Sequence, residues 1–204
     1  MPSGVVKLVN SDFNNDLLDY LKSRRSDLAM TLVEPAPTAD EVAQLITLAA
    51  RVPDHGKLSP WRFIEYPHAA RQKLCDNLKA LSDKDADETR IESREKEISR
   101  FKSAPMVIGV VSCAAEHPKI PQWEQALSAG AATMQMLIAA NAMGFGAQWL
   151  TGWYTRDSNA LALLGITGGE QVAGMVHIGT PTAEKTDRTR PELSDIHSIY
   201  SSSR

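Results

Sequence analysis

Apolar residues recur along this chain at two spacings, one typical of helices and one typical of strands, and the two alternate. Helical spacing predicts helices over residues 13–23, 38–49, 68–81, 123–143 and 157–164. Strand-like apolar runs predict strands over residues 61–66, 105–113, 147–153 and 171–179. Because helices and strands are mixed throughout, the pattern predicts one layered domain over residues 1–204. The helical content is too high for a β-sandwich or a β-barrel.

Several predicted helix ends carry residues that are typical of caps. Thr38 and Glu41 match a capping box, in which each side chain bonds a free backbone N–H group at the start of a helix. Pro53 stops the same helix, because proline has no N–H group to donate. Further caps are predicted at Asn10–Asp12, Gly144–Gly146 and Asp157–Ser158.

Three segments depart from the simple alternation. Residues 83–102 are densely charged, which predicts a solvated helix with intrahelical ion pairs. Residues 105–113 form a continuous apolar run rich in valine, which predicts a central strand covered on both faces. Residues 181–204 are polar and lack periodicity, so they form either an ordered C-terminal arm on a partner or a frayed tail.

Composition narrows the classes of function. The net charge is -3 and the pI is about 6.0, so the chain lacks the basic surface that nucleic-acid binding needs. The first residues include no long apolar segment, which predicts a cytoplasmic location. No charge occurs between Glu124 and Arg156, but small and polar residues interrupt this stretch. It therefore predicts a helix buried in the protein or between two subunits, and no membrane span.

The sequence lacks the common motifs of a catalytic nucleophile, a metal site or a phosphate-binding loop. Its five histidines are scattered, and its two cysteines, Cys75 and Cys113, are far apart and predicted to be reduced thiols. If the chain is an enzyme, an organic cofactor must therefore supply its chemistry.

Three segments are candidates to bind such a cofactor. Arg24, Arg25 and Ser26 offer two guanidinium groups and a hydroxyl to a phosphate, although arginines at a helix end also complement the helix dipole. Residues 51–61 form either a binding loop or an ordinary polar surface loop. Residues 143–152 would let a flat ring approach the backbone, or they form a tight turn with core tryptophans.

Taken in order, these segments resemble the nitroreductase family, the FMN-dependent NAD(P)H oxidoreductases, and in particular its short bacterial members. The resemblance covers residues 17–182. It rests on several short segments. Each one alone is weak evidence for the family, but their order along the chain is specific for it. They are Arg24–Ser26, Glu34–Thr38, Arg51–His55, Pro60–Trp61, Pro121–Gln125, Ser128–Gly130, Gly144–Gly146 and Gly179–Pro181.

The resemblance implies an α+β fold with three α/β/α layers, in which helices flank a central, mainly antiparallel sheet. It implies an intertwined homodimer with FMN at each subunit interface. The implied activity is hydride transfer from NADH or NADPH, through bound FMN, to a small nitroaromatic or quinone-like acceptor. Two alternatives stay open: a flavin-binding redox sensor or partner subunit without efficient turnover, and a member that uses oxygen on the flavin itself.

The resemblance also implies roles for individual residues. Those implied to bind FMN are Arg24, Arg25, Ser26, Arg51, His55, Trp149, Leu150 and Thr151. The first three would hold the phosphate and ribityl end, His55 would reach the partner's site, and the last three would line the ring. The segment implied to contact NAD(P) consists of Ala139, Ala140, Asn141, Ala142, Met143 and Gly144. No protein nucleophile and no metal is required.

Two positions depart from the family's pattern. Leu28 stands where many members carry a lysine near the pyrimidine end of the flavin, and Leu150 stands where similar short members carry an arginine. Arg51 is a candidate to supply the first missing charge. Arg188 or Arg190, in the C-terminal arm, could supply the second.

Overall fold

The structure is a computed structural model that describes residues 15–85 and 87–201. Its helices are α1 (Asn15–Ser23), α2 (Ala39–Ala49), α3 (His68–Ser82), α4 (Glu88–Ser103), α5 (Gln122–Ala142), α6 (Ser158–Leu163) and α7 (Leu193–Ile196). Its strands are β1 (Leu32–Val33), β2 (Trp61–Pro67), β3 (Met106–Ser112), β4 (Gly146–Leu150) and β5 (Gln171–Pro181). Single turns of 3-10 helix lie at Ala29–Thr31, His55–Lys57 and Trp153–Thr155.

The strands form one antiparallel sheet in the order β1-β5-β3-β2, and β4 also pairs with β5. All seven residues of β3 are buried. β3 pairs with β2 over its whole length, from Met106 opposite Pro67 to Ser112 opposite Trp61. The predicted central strand is confirmed, because a strand that is apolar on both faces is stable only where both faces are covered.

Helices cover both faces of this sheet, which gives three layers. On one face Leu78 of α3 and Phe101 of α4 belong to the same buried cluster as Val107 of β3. On the other face Met136 of α5 belongs to a second cluster with Ile108, the next residue of β3. Neighbouring strand residues point to opposite faces, so β3 serves both clusters. The predicted α+β class and layered arrangement are confirmed.

The face under α3 and α4 also encloses two buried polar side chains. The Arg71 guanidinium donates hydrogen bonds to three backbone carbonyl groups between the end of α4 and the start of β3. Burial lowers the pKa of Arg71 to about 10, so the group is still charged at neutral pH. His177 of β5 is fully buried, its ring meets the Phe101 ring edge-on, and burial lowers its pKa to about 4.

The strands differ from the prediction by more than one residue in three places. β1 was missed, because two residues are too few to show a periodicity. β4 ends at Leu150 and not at Trp153, because its pairing with β5 ends there and the Trp153 backbone N–H donates to Glu97 instead. β5 continues to Pro181, which had been predicted to begin the C-terminal arm.

The charged segment is a helix, as predicted, but its role differs from the prediction. α4 begins at Glu88, and Asp87 caps it, because the Asp87 side chain accepts a hydrogen bond from Arg90 N. Ile98 and Phe101 are buried, and Phe101 is fully enclosed. α4 is therefore part of the core, and only its outer face is solvated.

The described chain divides into two compact units. The larger spans Ser26–Lys185 and contains the sheet and α2 to α6. The smaller contains α1 and α7. The caps predicted at Asn10–Asp12 lie outside the described residues. Within the described residues, no helix combines the length and the apolar composition that a membrane crossing requires.

Candidate functional site

The loop between α2 and β2 carries two of the predicted site residues, Arg51 and His55, on an ordered backbone. α2 ends just before Arg51, whose side chain is exposed. The Asp54 carboxylate accepts hydrogen bonds from Leu58 N at 3.1 Å and Ser59 N at 2.8 Å. This local pairing closes the loop, as aspartate commonly does in turns.

The first turns of α5 hold the same loop from the other side. His55 Nδ1 lies 2.6 Å from Glu124 Oε1. Ser128 Oγ donates to the Pro53 carbonyl at 2.7 Å and accepts from Trp61 Nε1 at 3.1 Å. The backbone near His55 is therefore fixed at several points, which makes the loop a suitable mount for a binding group.

A cavity of about 530 Å³ lies beside the His55–Glu124 pair. Its polar lining comes from Asp54, His55, Glu124, Gln125 and Ser128, and its apolar lining from Pro53, Pro60, Ile120, Leu127 and Ala131. The volume is in the range of small-molecule sites, and the mixture of apolar walls with a few polar groups is typical of them.

The outer face of α5 exposes large apolar side chains next to this cavity. Trp123 is 65% exposed and Leu127 is 63% exposed. The two residues are four positions apart, so they lie on the same face of the helix. Adjacent exposed side chains of this size are typical of a surface that another molecule covers.

β4 carries the predicted ring-lining residues. Trp149 is 37% exposed, and its Nε1 donates to the Ala173 carbonyl at 3.1 Å, which fixes the indole against β5. Leu150 is half-buried, and Thr151 is exposed just after the strand. Trp149 is therefore not a core residue, in contrast to the alternative prediction that this segment holds core tryptophans.

The chain after Ser26 is tied to the start of β4. Asp27 N donates to the Ala147 carbonyl, and the Asp27 carboxylate accepts from Ala147 N, both at 3.0 Å. Ala29 N donates to Gln148 Oε1 at 2.6 Å. Ser26 is exposed and precedes this paired segment. Within the larger unit, the structure thus brings Ser26 to the strand that carries Trp149.

Arg24 and Arg25 belong to the smaller unit and have different surroundings. Arg25 forms a two-point salt bridge with Asp187, at 2.5 and 2.6 Å, and its Nη1 donates to two backbone carbonyls. The Arg25 guanidinium holds the pKa of Asp187 at about 2. The Arg24 side chain is half-buried and has no ion pair or hydrogen bond within the residues that the structure describes. Arg190, a predicted replacement cation, also lies near Asp187, at 3.6 Å.

The segment predicted to contact NAD(P) has a structural role in this chain. Ala139 and Ala140 are buried among the side chains of the core under α5. Asn141 Nδ2 donates to the Phe145 carbonyl at 2.9 Å and so closes the turn after the helix. Gly144 has a φ of 90°, which favours glycine. Ala142 and Gly144 are exposed, and Met143 is half-buried.

The structure forms two groups from the predicted residues of the larger unit. Arg51 and His55 share one loop, and Ser26 lies near β4, which carries Trp149 and ends just before Thr151. Sequence reasoning gave no role to Glu124 or Asp187, the partners of His55 and Arg25. Glu124 lies in a segment that carried the family resemblance, whereas nothing in the sequence pointed to Asp187. Within the described residues, no cluster of histidine, cysteine or acidic side chains is arranged to bind a metal.

Comparison with known proteins identifies relatives over most of the chain. The profile of the Nitroreductase family matches residues 21–180. YdjA of Escherichia coli (strain K12), whose name proposes an NAD(P)H nitroreductase activity, is 34% identical over 170 residues, which are 81% of this chain and 88% of YdjA. A protein of Haemophilus influenzae (strain ATCC 51907 / DSM 11121 / KW20 / Rd), with the same activity proposed in its name, is 37% identical over 175 residues, 85% of this chain and 92% of its own length.

Solved structures share the fold. A nitroreductase-like family protein from Bacillus cereus is 25% identical and superposes with a TM-score of 0.77, over 90% of this chain and 95% of its own. A nitroreductase with bound FMN from Bacteroides fragilis NCTC 9343 is 21% identical, with a TM-score of 0.71 over 92% of this chain and 100% of its own. At these identities the second comparison supports the fold alone.

Proposed function

This chain belongs to the nitroreductase family of oxidoreductases, as its sequence predicted, and from that membership we propose that it binds FMN and oxidises NADH or NADPH. We propose small nitroaromatic or quinone-like molecules as its electron acceptors. The observation that carries the proposal is the family match over residues 21–180, because it spans the sheet and every predicted FMN-binding segment.

The residues present fit the anionic end of FMN. The Arg24 side chain has no hydrogen-bonding partner within the described part of the chain, so its guanidinium can pair with a phosphate. We propose that Arg24, Arg25 and Ser26 together hold the phosphate and ribityl end. Of the two arginines, Arg24 is expected to contribute more to phosphate binding, because Arg25 is already paired with Asp187.

The residues of the larger unit also fit a flat ring. The hydrogen bond from Trp149 to Ala173 fixes a partly exposed indole. The next two residues are Leu150, the last of β4, and Thr151, just after the strand. Leu28 is 64% exposed and brings no charge, so we assign the cation near the pyrimidine end to Arg51. Bound FMN would supply the hydride and electron transfer between NAD(P)H and the acceptor, and the protein would supply position and charge.

We propose that two copies of this chain form the site together. Trp123 and Leu127 give α5 an apolar outer face, and a second copy would remove this face from water. In such a homodimer, His55 reaches the FMN that the partner binds. The cytoplasm, which contains both NADH and NADPH, is the proposed location.

We keep the proposed NAD(P) contact for the exposed part of its segment, Ala142 and Gly144. Ala139, Ala140 and Asn141 act indirectly in this proposal, because their packing and hydrogen bonding shape the turn. None of the residues described above favours NADH over NADPH or the reverse, so both are proposed as reductants.

The experiment that tests the function is steady-state oxidation of NADH and NADPH by purified protein supplied with FMN. We expect slow oxidation without an acceptor and fast oxidation once a nitroaromatic or a quinone is added. A protein that binds FMN but stays slow with every acceptor is a redox sensor or a partner subunit. A protein that consumes its own flavin in air, without any acceptor, uses oxygen on the flavin.

A second experiment tests the phosphate contacts. Arg24→Ala removes a charged hydrogen-bond donor, and we expect the dissociation constant of FMN to rise about tenfold or more. The matched control is Arg100→Ala, which removes an exposed arginine of α4. An unchanged FMN dissociation constant in Arg24→Ala would leave this residue only its favourable interaction with the end of α1.

A further inference from the structure

The pairing of His55 with Glu124 determines which ring nitrogen of His55 carries a proton. His55 Nδ1 lies 2.6 Å from Glu124 Oε1. An ionised carboxylate can only accept hydrogen bonds, so Nδ1 must be the donor in both the neutral and the charged imidazole. In the neutral ring, Nε2 is then left without a proton and accepts hydrogen bonds.

The surroundings hold the backbone on both sides of this pair. Glu124 lies in the first turn of α5, and Ser128, one turn later, bonds the carbonyl of Pro53. Asp54, next to His55, closes the loop through its own backbone contacts. The pair also lines the cavity described above, so a ligand there would meet an imidazole whose orientation is already fixed.

We propose that Glu124 is a positioning residue that keeps the His55 proton on Nδ1 and so presents Nε2 as an acceptor to an N–H or O–H group of FMN bound by the partner subunit. The proposal rests on the proposed function for the identity of the ligand. It assigns Glu124 a role that its place in the helix does not explain. An acidic residue in the first turn also interacts favourably with the helix dipole, and that merely structural role is the rival to exclude.

The test combines a spectroscopic measurement on the FMN-free protein with FMN titrations of the same samples. Full-length protein labelled with ¹⁵N in its histidines gives long-range ¹H–¹⁵N spectra that distinguish the two neutral tautomers, and His55→Asn assigns the signals of His55. The variants are Glu124→Ala and Glu124→Gln. Their matched control is Glu92→Ala, which removes the exposed Glu92–Lys96 ion pair of α4.

We expect the wild-type ring to carry its proton on Nδ1. Glu124→Ala should move the proton to Nε2, the form that free histidine prefers, and raise the FMN dissociation constant about tenfold. Glu124→Gln keeps an acceptor oxygen, so it should rescue both the tautomer and most of the affinity. Glu92→Ala should change neither measurement.

Three results would overturn the proposal. The first is a wild-type ring with its proton on Nε2. The second is Glu124→Ala with both tautomer and FMN affinity unchanged. The third is weaker FMN binding with an unchanged tautomer, because that would show the structural role in the helix. If the wild-type protein does not bind FMN, the proposed function fails and the FMN contact of His55 fails with it, whereas the tautomer spectra still decide whether Glu124 fixes the ring.

Discussion

The two faces of the sheet in the larger unit differ in how completely the chain itself buries and pairs their side chains. Under α3 and α4, Phe101 and His177 are fully buried, and Arg71 uses its charge on backbone carbonyls of its own chain. On the side of α2 and α5, Trp123 and Leu127 are exposed, and a cavity lies beside His55. We call the first face the closed face, because the chain itself covers it. The second is the open side, because its exposed apolar and polar groups are accessible to other molecules.

This difference separates residues that stabilise the fold from residues that are available to bind a ligand. A buried charge such as that of Arg71, whose terminal guanidinium nitrogens donate to backbone carbonyls of its own chain, is not accessible to a ligand. The side chains of Arg51 and Arg24 make no ion pair or hydrogen bond within the described residues. We therefore expect substitutions on the closed face to change the free energy of unfolding, and substitutions on the open side to change binding.

The largest expected effect belongs to the closed face. Arg71→Ala leaves three backbone carbonyls without their donor and opens a cavity, so we expect the free energy of unfolding to fall by about 3 kcal/mol or more. Urea denaturation measures the change, and Lys73→Ala, an exposed position on the same helix, is the control. A loss as small as that of the control would mean that this face is not closed by Arg71.

The pH dependence of stability tests the same face. The folded protein holds the pKa of His177 at about 4, below the ordinary value of 6.5. The unfolded chain therefore takes up the proton first as the pH falls, and the free energy of unfolding decreases between about pH 6.5 and 4, by about 3 kcal/mol in total.

Comparison with His177→Leu isolates this contribution from the carboxylates that titrate nearby in pH. The variant should lose the part of the decrease that lies between pH 6.5 and 4 and keep the rest. Denaturant curves at pH 7, 5.5 and 4.5 measure the difference. If the free energy of unfolding fell equally with pH in the wild type and in His177→Leu, His177 would not be a neutral, buried side chain.

On the open side, Arg51→Ala tests whether an exposed cation contributes to binding. We expect the FMN dissociation constant to rise about tenfold, because a charged hydrogen bond to the ligand is lost. The free energy of unfolding should change by less than about 0.5 kcal/mol, as is usual for surface positions. Isothermal titration with FMN and denaturation of the same sample give both numbers. A loss of stability without a loss of FMN binding would place Arg51 with the closed face.

The smallest effect on the single chain is expected at Leu127. Leu127→Asp puts a charge on the apolar face of α5, which should raise the dissociation constant of the homodimer about tenfold or more. Sedimentation at a series of protein concentrations measures the change, and Leu163→Asp, an exposed leucine of α6, is the control. Equal behaviour of the two variants would show that a second copy does not cover this face.

The sequence was sufficient where the structure depends on neighbours along the chain. The capping box of Thr38 and Glu41 is present as predicted, since a cap needs only residues three positions apart. β3 could be predicted because the six consecutive apolar residues Met106–Val111 leave few alternatives to a covered strand. The family's ordered segments then led to the α+β fold.

The sequence was insufficient where distant residues meet. Arg25 and Asp187 are 162 positions apart, so no periodicity joins them. The end of β4 depends on Glu97, which takes the N–H group that a longer strand would have used. His55 was found as a candidate, but the nitrogen that it offers depends on Glu124 of another element. Site residues could thus be predicted singly, and their electrostatic partners only from the structure.

Native mass spectrometry of the wild-type protein, incubated with excess FMN and then desalted, tests the central claim most directly. The account predicts one dominant species with the mass of two chains and two FMN molecules. A single chain that retains no FMN under the same conditions would contradict it.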